Sequence, residues 1–457
     1  MPDELDALVI EILRRTQSTV ANLREKLKAE SDTRLWEGLH GVFAEMKQVQ
    51  DAVQGPDLSV LGTRLLSFLP SPLPVSLARE SDLPKQLLTR IVAVSIYPDV
   101  CGMPVTPQHI AAAIRELAAG CITIRVVTFI RGVVPADPLP VGKTAILLPS
   151  NLVKLSPFRL RISHDARVNH VFSHSVLFCD ARFRAGQCSD DDMRIAPGYD
   201  ILQAMRLAST ERLRYCGSVA QSGLFDPSIY QGAPWSVTPV FRSWPGSEGR
   251  GAEGAIIFTP QHVEETQHLL PFVENGHHRL SIPIGRFDLS MRRPDQRERL
   301  VDLVIAAESL LASDYQDGNL SYKLRMRGAR LLAQPEDRRR KCKQLGRVYG
   351  LRSIAVHQGK SAREEKALGV EVESLGEDVR NLIRHCVRIV GSGREDFEHL
   401  LDHALLGVPE AARIIDSSRP SHPLVQSVTE HDLFFMRYPP VPGLSGAQAV
   451  PPKGSDN

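Results

Sequence analysis

The chain reads as an α+β protein in which helical segments flank a mixed middle region. Apolar residues recur at helical spacing near both ends of the chain. Between them, short β-branched runs alternate with prolines and turn residues. Size agrees with this division: 457 residues, 42% apolar and 24% charged, provide for about two or three globular domains. The same values exclude wholesale disorder and collagen-like repeats.

The N-terminal segment, 1–55, is predicted helical. Leu5, Leu8, Val9, Ile12 and Leu13 follow the i, i+3, i+4, i+7, i+8 pattern of one buried face. Leu23, Leu27, Leu35, Leu39, Phe43 and Met46 extend the apolar series to a break at Gly55-Pro56.

Residues 56–285 form the mixed α+β region, predicted to sense or recognise a trigger or a protein partner. Strands are expected at 121–130, 145–148, 170–178 and 255–258. Another is expected at 158–162, where Phe158, Leu160 and Ile162 alternate with Arg159 and Arg161. Helices are expected at 107–119, 199–220 and 261–273.

A helical bundle is predicted over 286–405. Leu300, Leu303, Val304, Ala307, Leu310 and Leu311 make a wide apolar face. Leu320, Leu324, Leu331 and Leu332 predict a second helix with Asn319 as its N-cap. Leu375, Val379, Leu382, Ile383, Cys386, Ile389 and Val390 form another stripe, and 345–357 lies between. The remainder, 406–457, is rich in Pro, Ser and Gly and reads as a tail whose last ten or so residues are disordered.

Composition narrows the function classes. The stretch around 300–312 is too short for a membrane span and contains Asp302 and Glu308. Met1-Pro-Asp-Glu-Leu-Asp is unlike a signal peptide. Seven scattered cysteines without a C-x-x-C pair read as reduced thiols. A cytoplasmic location and no membrane partner are the expectations. The total charge is only +2, yet residues 321–363 hold thirteen Lys and Arg against Glu336 and Asp337, a local net of +11. Such a block is the electrostatic footprint of a polyanion partner, or else a solvated helical face or a loop that pairs with acids elsewhere in the chain.

Inside the block lies Tyr349-Gly-Leu-Arg352-Ser353-Ile-Ala-Val-His357-Gln-Gly359. Cleavage of RNA without metal requires a base for the 2′-OH, an acid for the 5′-oxygen and a cation for the phosphorane. His titrates near neutrality and suits proton transfer. Arg stays charged and presents a planar fork to phosphate oxygens. Five residues on a regular helix span about 140° of its circumference, so Arg352 and His357 would not converge within one regular helix. Either the helix is irregular there, or pairs from two subunits meet across a two-fold axis. Glu308 can orient either residue. The plain alternatives are a salt bridge between Arg352 and Glu308, and a histidine capping a helix end.

The order of Glu308 in an apolar helix, the Gly318–Ala333 segment and the Tyr-x-x-Arg-Ser-x-x-x-His element resembles the Apea-like subgroup of HEPN domains (higher eukaryotes and prokaryotes nucleotide-binding). The preceding Ile282-Pro-Ile-Gly-Arg-Phe-Asp-Leu-Ser-Met-Arg292 is similar to that subgroup's lead-in. The resemblance covers about residues 280–395. It implies a helical bundle that dimerises, and a metal-independent endoribonuclease of the phage-defence or toxin kind, without cofactor. It implies Arg352 and His357 as catalytic residues, with Ser353 at the polar position after the Arg and Glu308 at the acidic position of the first helix. Gln358 stands where the subgroup often has Gly directly after the His. The basic residues Arg338, Arg339, Arg340, Lys341, Lys343, Arg347 and Lys360 are expected to track the RNA backbone. The alternative within the same family is a non-catalytic module for dimerisation and for nucleic-acid or nucleotide binding.

Two other signals are set aside. Asp137–Thr144 ends like a phosphate-binding loop but has Asp137 where the motif needs Gly. His164, His170, His174, Cys179 and Cys188 cluster without a paired zinc-ligand signature.

Overall fold

The structure is a computed structural model that describes residues 2–31, 49–69, 83–96, 106–142, 145–150, 173–184, 197–209, 213–222, 242–245, 255–312, 319–357, 362–394, 396–420 and 427–428. It is an α+β protein. The N-terminal helices are α1 (Pro2–Arg15), α2 (Gln17–Ser31), α3 (Pro56–Leu66), α4 (Leu83–Ile96) and α5 (Pro107–Ala118). Leu5, Leu8, Val9 and Ile12 are buried, as their spacing predicts. The outer face of α1 is tied down by Arg64–Glu4 at 3.1 Å and by Arg115–Asp6.

Two helices begin with the same tetrapeptide, Thr-Pro-Gln-His. In α5, the Thr106 hydroxyl accepts from the His109 backbone N–H, and the Thr106 N–H donates to His109 Nδ1, both at 3.3 Å. In α7 (Pro260–Glu274), the Thr259 N–H donates to His262 Nδ1 at 3.1 Å. Imidazole here takes the place that Glu or Gln holds in a capping box, with Pro at the first helical position.

A six-stranded sheet has the order β3-β4-β5-β1-β6-β7 and is antiparallel at every pair. Its strands are β1 (Cys121–Arg131), β3 (Leu139–Val141), β4 (Ala145–Pro149), β5 (Ser175–Arg184), β6 (Arg214–Ser222) and β7 (Arg242–Pro245). A smaller sheet places β8 (Ala255–Phe258) between β2 (Val133–Pro135), which is parallel to it, and the short antiparallel β9 (Ser427–Val428). The expected helix over 199–220 is corrected. Pro197–Ala208 is helical (α6), whereas Arg214–Ser222 forms β6, which pairs with β1 from Ile124 to Arg131. Tertiary pairing on the open side of β1 overrides local propensity there.

The C-terminal helices are α8 (Ser281–Arg292), α9 (Gln296–Leu311), α10 (Leu320–Leu332), α11 (Arg338–His357), α12 (Ala362–Gly391), α13 (Phe397–Leu405) and α14 (Pro409–Ser417). The Asp295 side chain caps α9 through the Arg297 N–H at 2.7 Å. Asn319 does occupy the N-cap of α10, but through left-handed backbone (φ 61°) and without a side-chain capping bond. The bundle exceeds its expected bounds: α8 crosses the expected boundary at 285/286, and α14 lies within the expected tail. One buried cluster joins Leu177 of the sheet, Met205 of α6, Leu303 of α9, Leu382 of α12 and Ile415 of α14. The expected strand at 158–162 lies outside the described residues.

Two buried histidines give the fold a pH dependence. His262 and His385 are each pushed down to about 4, first by burial; Arg380 and Arg384 add to this for His262, and Arg419 and other arginines for His385. His385 donates from Nε2 to the Ile415 carbonyl at 2.8 Å. Both rings are neutral in the fold, whereas the unfolded chain protonates them near 6.5. Stability from these groups is therefore complete above about pH 6.5 and is lost as pH falls toward 4. Each accounts for a loss on the order of 2 kcal/mol by pH 5. Urea unfolding at pH 7.5 and pH 5.0 checks this, and His385→Asn is expected to reduce the difference.

Candidate functional site

The Arg352 element sits in α11, which is helical from Arg338 to His357 without interruption. Of the two options for Arg352 and His357, an irregular helix is thereby removed. At about 100° per residue, positions 352 and 357 lie about 140° apart around its axis. The helix carries two different faces as a result.

The inner face looks toward α9. Arg352 Nη1 donates to Glu308 Oε1 at 2.9 Å. The side chains are 31% and 15% exposed respectively. Tyr349, one turn earlier on α11, also hydrogen-bonds Glu308. Its ring centroid lies 6.0 Å from the Arg352 guanidinium carbon, at the outer limit of a cation–π contact. Burial raises the Glu308 carboxyl above its ordinary range, and the pull of Arg352 and Tyr349 only partly offsets it. The Arg352 contact uses Nη1, one of the nitrogens that together carry five N–H donors.

The outer face carries Arg339, Lys343 and Arg347, all exposed and spaced one turn apart. Arg347 also pairs with Glu371 on α12. Eighteen residues of helix make about five turns, so position 357 falls on the same side as position 339. The backbone of Ser353 and His357 is helical, but their side chains lie outside the described residues, as does all of Lys360.

The basic block divides. Arg327 and Arg330 are buried and bind Asp402 and Asp416, at 2.6 and 2.8 Å. Lys341 binds Asp378 at 2.8 Å and faces inward, so it leaves the expected RNA-tracking set. Arg338 is only half-buried, but burial and the neighbouring Arg330 lower its pKa. Arg340 is 82% exposed and pairs with Asp337 at 3.0 Å. Much of the +11 is thus neutralised by distant acids, while Arg339, Arg340, Lys343 and Arg347 remain on the surface.

The signals set aside also have places in the fold. Strands β3 and β4 pair antiparallel, with Gly142 at φ +71° directly after β3; Lys143 and Thr144 lie outside the described residues. His174 is buried and accepts the Gly132 N–H at Nδ1, 3.0 Å away. His164, His170 and Cys188 lie outside the described residues. Among the described residues no group of three His, Cys, Asp or Glu is placed to hold a metal ion. Likewise, no described helix is long and apolar enough to cross a membrane.

Sequence reasoning gave Tyr349 no separate role, although its i, i+3 spacing from Arg352 was the available signal. The Arg279–Glu398 pair, at 2.5 Å between α13 and the turn before α8, was also missed. Its partners are too far apart in sequence to read. Comparison with family models, with curated proteins and with solved structures finds no match to this chain.

Proposed function

We propose that the C-terminal bundle is a HEPN-type, metal-independent endoribonuclease that serves bacterial phage defence or a stress response. The observation that carries the reading is α11: one helix bears a Glu308-anchored Arg352 on its inner face and a basic outer stripe aligned with position 357. His357 takes the proton of the ribose 2′-OH, whose oxygen attacks phosphorus. The P–O5′ bond breaks, and His357, now protonated, returns that proton to the leaving 5′-oxygen. Arg352 neutralises the phosphorane through donors beyond Nη1. Because one regular α11 keeps the two residues about 140° apart, the working pair combines Arg352 of one subunit with His357 of another. Glu308 is a positioning residue, and Ser353 is the polar neighbour of Arg352.

The ribose 2′-OH tests this directly. An RNA oligonucleotide is expected to be cut in EDTA to 2′,3′-cyclic phosphate and 5′-OH ends. Its fully 2′-O-methylated counterpart is expected to resist. Equal cleavage of both would exclude 2′-OH attack.

Arg339, Lys343 and Arg347 supply the backbone contacts in this reading. Removal of Arg339 or Lys343 is expected to weaken RNA binding similarly across sequences. Each change should also lower the slope of log K against log salt by about 0.7. Filter binding at 50–200 mM salt checks this, with Lys341→Ala as the contrasting variant whose main loss is stability. A binding and dimerisation module without catalysis is the second reading. The exposed stripe of Arg339, Lys343 and Arg347 favours it, since contacts to phosphates hold RNA without any catalytic pair.

A further inference from the structure

A cavity of about 580 Å³ opens between α9, α12, α13 and the segment that enters α8. Its volume lies within the range of small-molecule sites. Leu280, Ile305, Leu320, Val390 and Phe397 supply an apolar wall. The polar side chains on it are few: His278, Arg279, Glu308, Ser309 and Glu398. Arg279 and Glu398 neutralise each other at 2.5 Å. Ser309 donates to the Ala306 carbonyl of its own helix at 2.9 Å.

Glu308 differs from these groups. It lines the cavity, is half-buried, and meets Arg352 through Oε1 at 2.9 Å. A carboxylate offers about four lone-pair sites. The contact with Arg352 leaves acceptor capacity beside the apolar wall. The complementary occupant has a flat apolar body and one cationic nitrogen.

We propose that this cavity is a binding site for a small aromatic amine, with Glu308 as its anchor and the apolar wall as the bed for its ring. The site goes beyond the ribonuclease reading and does not depend on it, because its test is binding alone. Ligand and Arg352 share one carboxylate, so they compete for it. Removal of the arginine is therefore expected to tighten amine binding.

The test is calorimetric titration of the full chain with three indoles of the same ring: tryptamine, indole and indole-3-acetate. Tryptamine is expected to bind at least tenfold more tightly than indole, and indole-3-acetate more weakly than both. Glu308→Gln is expected to bring tryptamine down to the level of indole. Ser309→Phe, which fills the cavity, is expected to abolish binding of both, and Arg352→Ala is expected to tighten tryptamine several-fold. The ligand series on the wild-type chain needs no variant to fold. No binding of tryptamine at millimolar concentration overturns the site. Indole-3-acetate binding as tightly as tryptamine overturns the anchor, as does unchanged or weaker tryptamine binding in Arg352→Ala. Binding that survives Ser309→Phe in a folded protein places the ligand elsewhere and also overturns the proposal.

Discussion

Replacing His357 by Ala is expected to lower RNA cleavage about 10²- to 10⁴-fold, the usual contribution of a positioned acid–base group. Arg352→Ala is expected to cost about 10²- to 10³-fold through the loss of charge stabilisation at phosphorus. The regular course of α11 adds a sharper expectation. If each working site joins Arg352 of one subunit to His357 of the other, a mixed dimer of the two inactive variants holds one intact site. Unfolding and refolding an equimolar mixture is then expected to restore about a quarter of wild-type cleavage, since half of the dimers are mixed and each has one of two sites. Single-turnover cleavage of a labelled oligonucleotide measures all three. Failure of the mixture to recover activity, with dimers demonstrated, would mean that each chain forms its own site.

Asp288→Ala is expected to be the most destabilising single change outside the site. Asp288 lies on α8 and receives hydrogen bonds from Arg206 and Tyr199 of α6 and from Arg292, the last at 2.7 Å. The Arg206 and Asp288 side chains are 0% and 2% exposed. Arg206 also donates Nε to the Leu213 carbonyl at 3.2 Å, just before β6. The cluster therefore fixes the sheet-side helix α6 to the first helix of the bundle. Burial opposes ionisation of Asp288, but Arg206, Tyr199 and Arg292 overcome it and hold the carboxyl below its ordinary range. Removing the carboxylate leaves a guanidinium buried without its counter-charge, a loss of about 3–5 kcal/mol. Because the folded-state pKa is depressed, the stability this group contributes is present above the unfolded carboxylate pKa and is lost as pH falls below it. Urea unfolding at pH 7.5 checks the loss, and a change below about 1 kcal/mol would contradict the buried-pair account. Arg206→Met with Asp288→Leu is expected to recover most of it, since the apolar pair leaves no buried guanidinium unpaired, and Arg292, 47% exposed, is solvated.

Some of this was legible in the sequence and some was not, for identifiable physical reasons. The faces of α1, α9 and α12 follow from apolar spacing, and Leu5, Leu300 and Leu382 are buried accordingly. Strand β8 coincides with its apolar run, 255–258. Residues 214–220 were misread as helix because periodicity cannot show that β1 has an open side waiting to be paired. The Arg352–Glu308 contact was foreseen as the plain alternative to a catalytic arrangement, and it is present at 2.9 Å. The meaning of the basic block was not readable. The partners of Arg327, Arg330 and Lys341 lie 75, 86 and 37 residues away in sequence, so a formal charge count treats internal ion pairs as surface charge. Among the described residues, Arg339, Arg340, Lys343 and Arg347 remain exposed, a narrower stripe than the count implied.

The central claim is that this chain cuts RNA without metal through Arg352 and His357. The most direct measurement incubates the purified full chain with total RNA in EDTA, beside Arg352→Ala and His357→Ala proteins of demonstrated fold. Cleavage by the wild type alone, with 2′,3′-cyclic phosphate ends, is the predicted result. Cleavage by all three proteins alike, or by none of them, would contradict it.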